Sequence, residues 1–164
     1  MTSLRISPLP PDATELDLWI LVTATQLREF RAHLIAALNG HTPAANSQLA
    51  DIPERMVLVA TELATNAIKH GLPPTIVRLL RTEREFVLDV ADHDLTTVPE
   101  LTEAGPIDTG GRGLHLARAF ALDLGWYAAD RTKHIWAAFP IDVGADASQE
   151  SIVSGHRHIP RSGA

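Results

Sequence analysis

The sequence predicts an α+β domain, a two-layer α/β sandwich in which helices cover one face of a mainly antiparallel sheet. Three observations carry this. Apolar residues recur at helical spacing in "TQLREFRAHLIAALN", "IPERMVLVATELATNAIK" and "LHLARAFALDL". Strand-length apolar runs occur in "ELDLWILVT", "TIVRLL", "EFVLDVAD" and "HIWAAFP", too short to be helices of ordinary length. The polar link "RTERE" between the second and third of these is a hairpin connection. The order strand, helix, helix, hairpin, loop, helix, strand then gathers the helices on one side.

Each element has a local reason. Residues 1–13 carry Pro8, Pro10 and Pro11, which suit neither a central strand nor a helix interior, so a flexible N-terminal arm is expected. The domain itself spans 14–142. In the first strand Leu16, Leu18, Ile20 and Val22 alternate onto one face. The first helix follows from Thr25, with Leu27, Phe30, Leu34 and Leu38 as its apolar stripe and Asn39-Gly40 as its stop. The second runs from about Ile52 to Lys69, with Asp51 as N-cap and Pro53 at the first helical position. Its apolar face is Met56, Val59, Ala60, Leu63 and Ala67, while Glu62, Asn66 and His70 form a separate row at i, i+4, i+8. Gly71 and Pro73-Pro74 end it.

From 95 to 111 no period holds, and Pro99, Gly105, Pro106, Gly110 and Gly111 interrupt the chain. A loop of that length in a small domain is a functional or disordered segment. The third helix is expected from Leu114 to Leu124, stopped by Gly125, before a last strand "HIWAAFP". Residues 143–164 lack periodicity and are expected to form a flexible C-terminal tail.

Composition narrows the function. A chain of 164 residues holds one ordinary domain. With a net charge of −6 and no Lys/Arg cluster interleaved with aromatics, direct nucleic-acid binding is not expected. No apolar run approaches a bilayer span, and the N-terminus lacks a secretory layout, so a cytoplasmic protein without a membrane segment is expected. With no cysteine, disulfides and thiolate metal sites are excluded.

Three polar islands carry candidate chemistry. In "TELATNAIKHG" the Asn66 carboxamide is a hard neutral ligand suited to Mg²⁺, and the Glu62 carboxylate one turn earlier could orient or deprotonate a hydroxyl. Taken alone, E-x-x-x-N is more often a solvated helix face. Asp92 ends a strand and could accept a hydrogen bond from an exocyclic amine such as that of adenine, or simply form a turn. In "TGGRGLHLARAF" glycines at the mouth of a helix let backbone N–H groups curl around an anion; a flexible connector is the bland alternative. Neither a Walker A sequence nor a dinucleotide fingerprint is present: no Lys-Ser/Thr follows the glycines, and Leu116 stands where the last glycine would be.

Taken in order, "ELATNAIKHG", a hairpin strand ending in Asp92, a long glycine-bearing loop and "GGRGLHLARAF" resemble the Bergerat-fold, histidine-kinase-like ATPases. More narrowly, they resemble the anti-sigma regulatory factors that act as serine/threonine protein kinases. The resemblance covers about 25–140. It implies a Bergerat-type sandwich that binds ATP and Mg²⁺, with Glu62 as general base and Asn66 as the metal ligand. It also implies Lys69 and His70 near the phosphates, Asp92 on the adenine amine, Gly111, Arg112, Gly113 and Leu114 as the phosphate turn, and 95–110 as a lid. Implied partners are a sigma factor and a small antagonist protein, with a homodimer as the suggested assembly.

Two departures stand out. Similar proteins follow the adenine aspartate with a glycine-containing turn or small residues, whereas here Asp92-His93-Asp94 places an imidazole and a second acid where they would narrow the base pocket. Before the last strand similar proteins often carry Gly-Lys-Thr with the threonine toward the base; here Lys133-His134 stands there, with Thr132 on the other side of the lysine. Two other functional readings stay open: a non-catalytic, nucleotide-gated partner switch, and a detached histidine-kinase catalytic domain.

Overall fold

The computed structural model describes residues 2–41, 51–101 and 112–141. Its elements are β1 (Thr2–Ser3), β2 (Thr14–Leu21), a single 3₁₀ turn (Ala24–Gln26), α1 (Leu27–His41), α2 (Ile52–His70), β3 (Thr75–Arg81), β4 (Glu85–Asp92), β5 (Glu100–Leu101), α3 (Arg112–Phe120), β6 (Asp123–Ala129) and β7 (Thr132–Pro140). Five strands form one sheet in the order β2-β3-β4-β7-β6, every neighbouring pair antiparallel. β1 and β5 make a separate two-residue pair. The expected α+β sandwich is therefore the observed fold. The C-terminal tail, most of the expected lid and Gly111 lie outside the described residues. Among the described residues no helix is long and apolar enough to cross a membrane.

Strand alternation divides the core in two. Phe86, Leu88 and Val90 of β4 share the helix-facing side with Ile135, Ala137 and Phe139 of β7, and meet Leu34, Leu38, Met56, Val59 and Leu63 of α1 and α2. The opposite parity, Val87, Trp136 and Ala138 with Leu80, forms a smaller core on the outer face beneath Leu9 and Ala13. The central strands are thus apolar on both faces, which is why "EFVLDVAD" reads as a run and not as an alternation.

Three elements differ from the sequence expectation. In β2 a bulge between Glu15 and Asp17 reverses the parity. Trp19 and Leu21 then face the helices, Trp19 edge-on to Phe30 at 5.2 Å, and Leu18, Ile20 and Val22 are exposed. The expected stripe is therefore correct for Leu16 and inverted beyond it. The third helix stops at Phe120, and 123–129, which includes the Gly125 read as its stop, is strand β6. β6 and β7 are joined through Asp130-Arg131, where Asp130 takes a positive φ of 42° that Asp tolerates better than most residues. The N-terminal segment, expected as a loose arm, runs along β6. Trp126 N–H donates to Arg5 O at 3.0 Å and Ser7 N–H to Trp126 O at 2.9 Å. Leu4 is buried, and the Trp136 indole N–H donates to Ser7 O at 2.8 Å. Composition hides this because the anchors are two indoles more than a hundred residues away.

Candidate functional site

The site begins with α2. Its stripe of Met56, Val59, Ala60, Leu63 and Ala67 is buried against the sheet, leaving the next row on the rim. Asp51 precedes the helix but makes no side-chain capping bond, and Pro53 occupies the second helical position. Thr61 and Thr65 donate back to Val57 O at 2.7 Å and Thr61 O at 2.6 Å, so their hydroxyls are satisfied within the helix. Glu62 and Asn66 are half-buried and form no side-chain hydrogen bond or ion pair among the described residues.

α3 packs across this row. A methyl added at Gly113 would stand 3.0 Å from Asn66 Nδ2 and 3.1 Å from the Glu62 carbonyl carbon. Only glycine lets the start of α3 come so close to the α2 backbone. Two islands 50 residues apart in sequence therefore meet, and the open end of α3 lies beside Asn66.

Asp92 completes the enclosure. Asn66, Ala67, His70, Gly71, Asp92 and Leu114 line a cavity of about 300 Å³, with Thr97, Val98, Pro99 and Glu100 forming the opposite wall. The placement of Asp92 follows from parity, because it continues the helix-facing row Phe86, Leu88, Val90. One Asp92 oxygen, Oδ1, accepts from Asp94 N–H at 2.7 Å, and the other, Oδ2, lies against Gly71. Burial raises the Asp92 pKa above the usual carboxylate value, with the Asp94 N–H and the Lys133 charge opposing it.

The remaining expected residues fall as follows. His70 lines the cavity from an exposed position; Lys69 is exposed and outside its lining. Glu62 also lies outside the lining, at the seam between α2 and α3. Leu114 is buried and lines the cavity, Gly113 is buried at the helix contact, and Arg112 opens α3.

Neither unusual histidine narrows the pocket. His93 turns away, its Nδ1 3.2 Å from Pro74 O. Asp94 is spent on its own turn, accepting from Thr96 N–H at 2.9 Å and from the Thr96 and Thr97 hydroxyls at 2.6 and 3.1 Å, and these bonds hold its pKa low. His134 has the parity of Trp136 and points to the outer face. There its Nδ1 is 2.9 Å from Asp89 Oδ2, its Nε2 is 2.7 Å from Thr132 Oγ1, and its ring stacks on Tyr127 at 4.5 Å. Arg78 donates to the same Asp89 oxygen at 2.8 Å. Burial pushes the Tyr127 hydroxyl up to about 12. The narrowing expected at Asp92-His93-Asp94 is thus corrected by side-chain direction.

The residue that does enter the pocket is Lys133. It is 8% exposed, pairs with Asp92 across β4 and β7, and lines the cavity. The signal was available: Lys133, Ile135, Ala137 and Phe139 share one parity.

The cavity suits the nucleotide that the motif resemblance implies. It combines a buried carboxylate for an exocyclic amine, apolar walls from Leu63, Val90, Leu114 and Ile135, and an uncommitted carboxamide beside a helix start. Mg²⁺ bound mainly by phosphates and water needs few protein oxygens, and Asn66 is the side chain of the cavity that could supply one beside the start of α3. Among the described residues no group of three or more His, Asp or Glu is placed to hold a metal ion.

Comparison with known proteins agrees with this geometry. No curated protein matches the chain. The family model described as a histidine kinase-like ATPase domain matches residues 20–139, a span that contains α1, α2, the cavity-forming strands and α3. On that match the chain belongs to the histidine kinase-like ATPase domain family, an ATP-binding family.

Proposed function

We propose that this protein is an ATP- and Mg²⁺-dependent serine/threonine protein kinase of the anti-sigma type, acting in the cytoplasm on a small antagonist protein and sequestering a sigma factor. The observation that carries the reading is the meeting of Asp92, Asn66 and the α3 N-terminus at one cavity. Asp92 would accept from the adenine amine, Asn66 would hold Mg²⁺, and the first N–H groups of α3 would serve the phosphates. Bound ATP supplies the phosphoryl group, and Mg²⁺ offsets its charge. Glu62, one turn before Asn66, accepts the proton of the attacking hydroxyl.

One observation favours a second reading. Glu62 lies outside the cavity lining, which suits a nucleotide-gated partner switch that needs no general base. The test has two parts. Calorimetric titration of ATP with and without Mg²⁺ is expected to show metal-enhanced binding that Asn66→Ala reduces. Labelled ATP with cell extract is expected to give an acid-stable phosphoprotein with the wild type and not with Glu62→Ala. Binding without transfer selects the switch, and an acid-labile product selects a histidine kinase domain. No ATP binding overturns the proposal.

A further inference from the structure

Lys133 is a buried polar group of the pocket that the family motifs leave unassigned, and its surroundings specify a use. A lysine this buried is rare unless paired. Two of its three donors are directed at Thr97, at 2.9 Å from Oγ1 and 3.4 Å from the carbonyl oxygen. Among the described residues the third has only Asp92 Oδ2 in reach, at 3.9 Å, an ion-pair distance and too long for a hydrogen bond. On the aspartate, Oδ1 is occupied by Asp94 N–H, so Oδ2 is the free acceptor. Asp92 and Lys133 therefore present a free acceptor and a free charged donor side by side. Val90 and Ile135, the neighbours of Asp92 and Lys133 in their strands, line the cavity next to them.

We infer that Lys133 is a base-reading residue: Asp92 accepts from the exocyclic amine of adenine while Lys133 donates to the adjacent ring nitrogen N1. The inference rests on the nucleotide reading above and adds a second point of recognition to it. An aspartate alone reads the amine only. An acceptor and a donor together read the order of amine and N1, and a base lacking the N1 acceptor leaves one buried ammonium N–H without a hydrogen-bond acceptor. Thr97 belongs to the cavity wall formed by 97–100, so the same lysine also ties that wall to the base.

The test is calorimetric titration of ATP and 1-deaza-ATP, which keeps the amine and replaces N1 by C–H, into wild type, Lys133→Met and Asp92→Ala. Wild type is expected to bind 1-deaza-ATP about tenfold or more weakly than ATP. Lys133→Met, which keeps the apolar stem, is expected to bind the two alike. Equal affinities in wild type, or unchanged discrimination in Lys133→Met, would overturn the inference and leave Lys133 as a tether for Thr97. In either case ATP binding weakened by Asp92→Ala would leave the nucleotide reading standing. Absence of ATP binding by wild type would overturn both.

Discussion

Gly71 ends α2 with its Cα against the Asp92 carboxylate: a methyl placed there would stand 2.6 Å from Asp92 Oδ2 and 2.6 Å from Ala67 O. The Gly71 φ of −89° is open to any residue, so the constraint is space alone. One missing side chain thereby sets where the acceptor of the pocket sits.

Gly71→Ala is accordingly expected to destabilise the fold by about 1–3 kcal/mol, because the Ala67 carbonyl belongs to the helix backbone and cannot swing aside. Asp92 is displaced at the same time. Thermal melts together with ATP titration check this. A variant that melts like wild type and binds ATP equally would show that the contact relaxes freely.

The raised Asp92 pKa gives a pH signature. Below the unfolded value of 3.8 the carboxyl is protonated in both states, and its stabilising contribution is fully present. As pH rises through the raised folded value that contribution is lost, since the unfolded chain releases its proton first. Asp92→Asn cannot ionise. The stability difference between variant and wild type is therefore expected to move in favour of the variant from below pH 3.8 to pH 7. Urea titrations across that range check it, and a flat difference would contradict it.

The Asp89 network on the outer face separates folding from binding. Asp89 is fully buried and pairs with Arg78 and His134. Asp89→Ala removes the buried acceptor that Arg78 and His134 share and leaves Arg78 with the more distant Glu15 carboxylate at 3.8 Å, at a cost of about 3 kcal/mol, the low end of the range because the Arg78 side chain is 25% exposed. ATP affinity at a temperature where the variant is folded is expected to change little, because Asp89 faces away from the cavity. A large loss of affinity without loss of stability would contradict this placement.

Removal of residues 1–7 tests the docking of the N-terminal segment. Loss of Leu4 burial alone costs about 2 kcal/mol, and Trp136, 2% exposed, loses the Ser7 acceptor of its indole N–H. A lower melting temperature and red-shifted tryptophan emission are expected. Unchanged emission would mean that the segment does not cover Trp136.

Much of this molecule was legible in its sequence because helix and strand periods are local properties. The stripe of α2, the row Glu62, Asn66 and His70, the β3–β4 hairpin and the glycines before α3 follow from spacing and chain chemistry. What spacing could not reach was direction. The bulge in β2 turned Leu18, Ile20 and Val22 outward. The segment after Phe120 became a strand because β7 offered it a partner, whatever its helical pattern suggested. In β7, parity puts Lys133 and His134 on opposite faces, but that the Lys133 face is the pocket side follows from the helices packed there. Most of the secondary structure follows from neighbours along the chain, whereas the strand state of 123–129 and the face each side chain occupies follow from what the rest of the fold packs against them, and only the tertiary structure decides that.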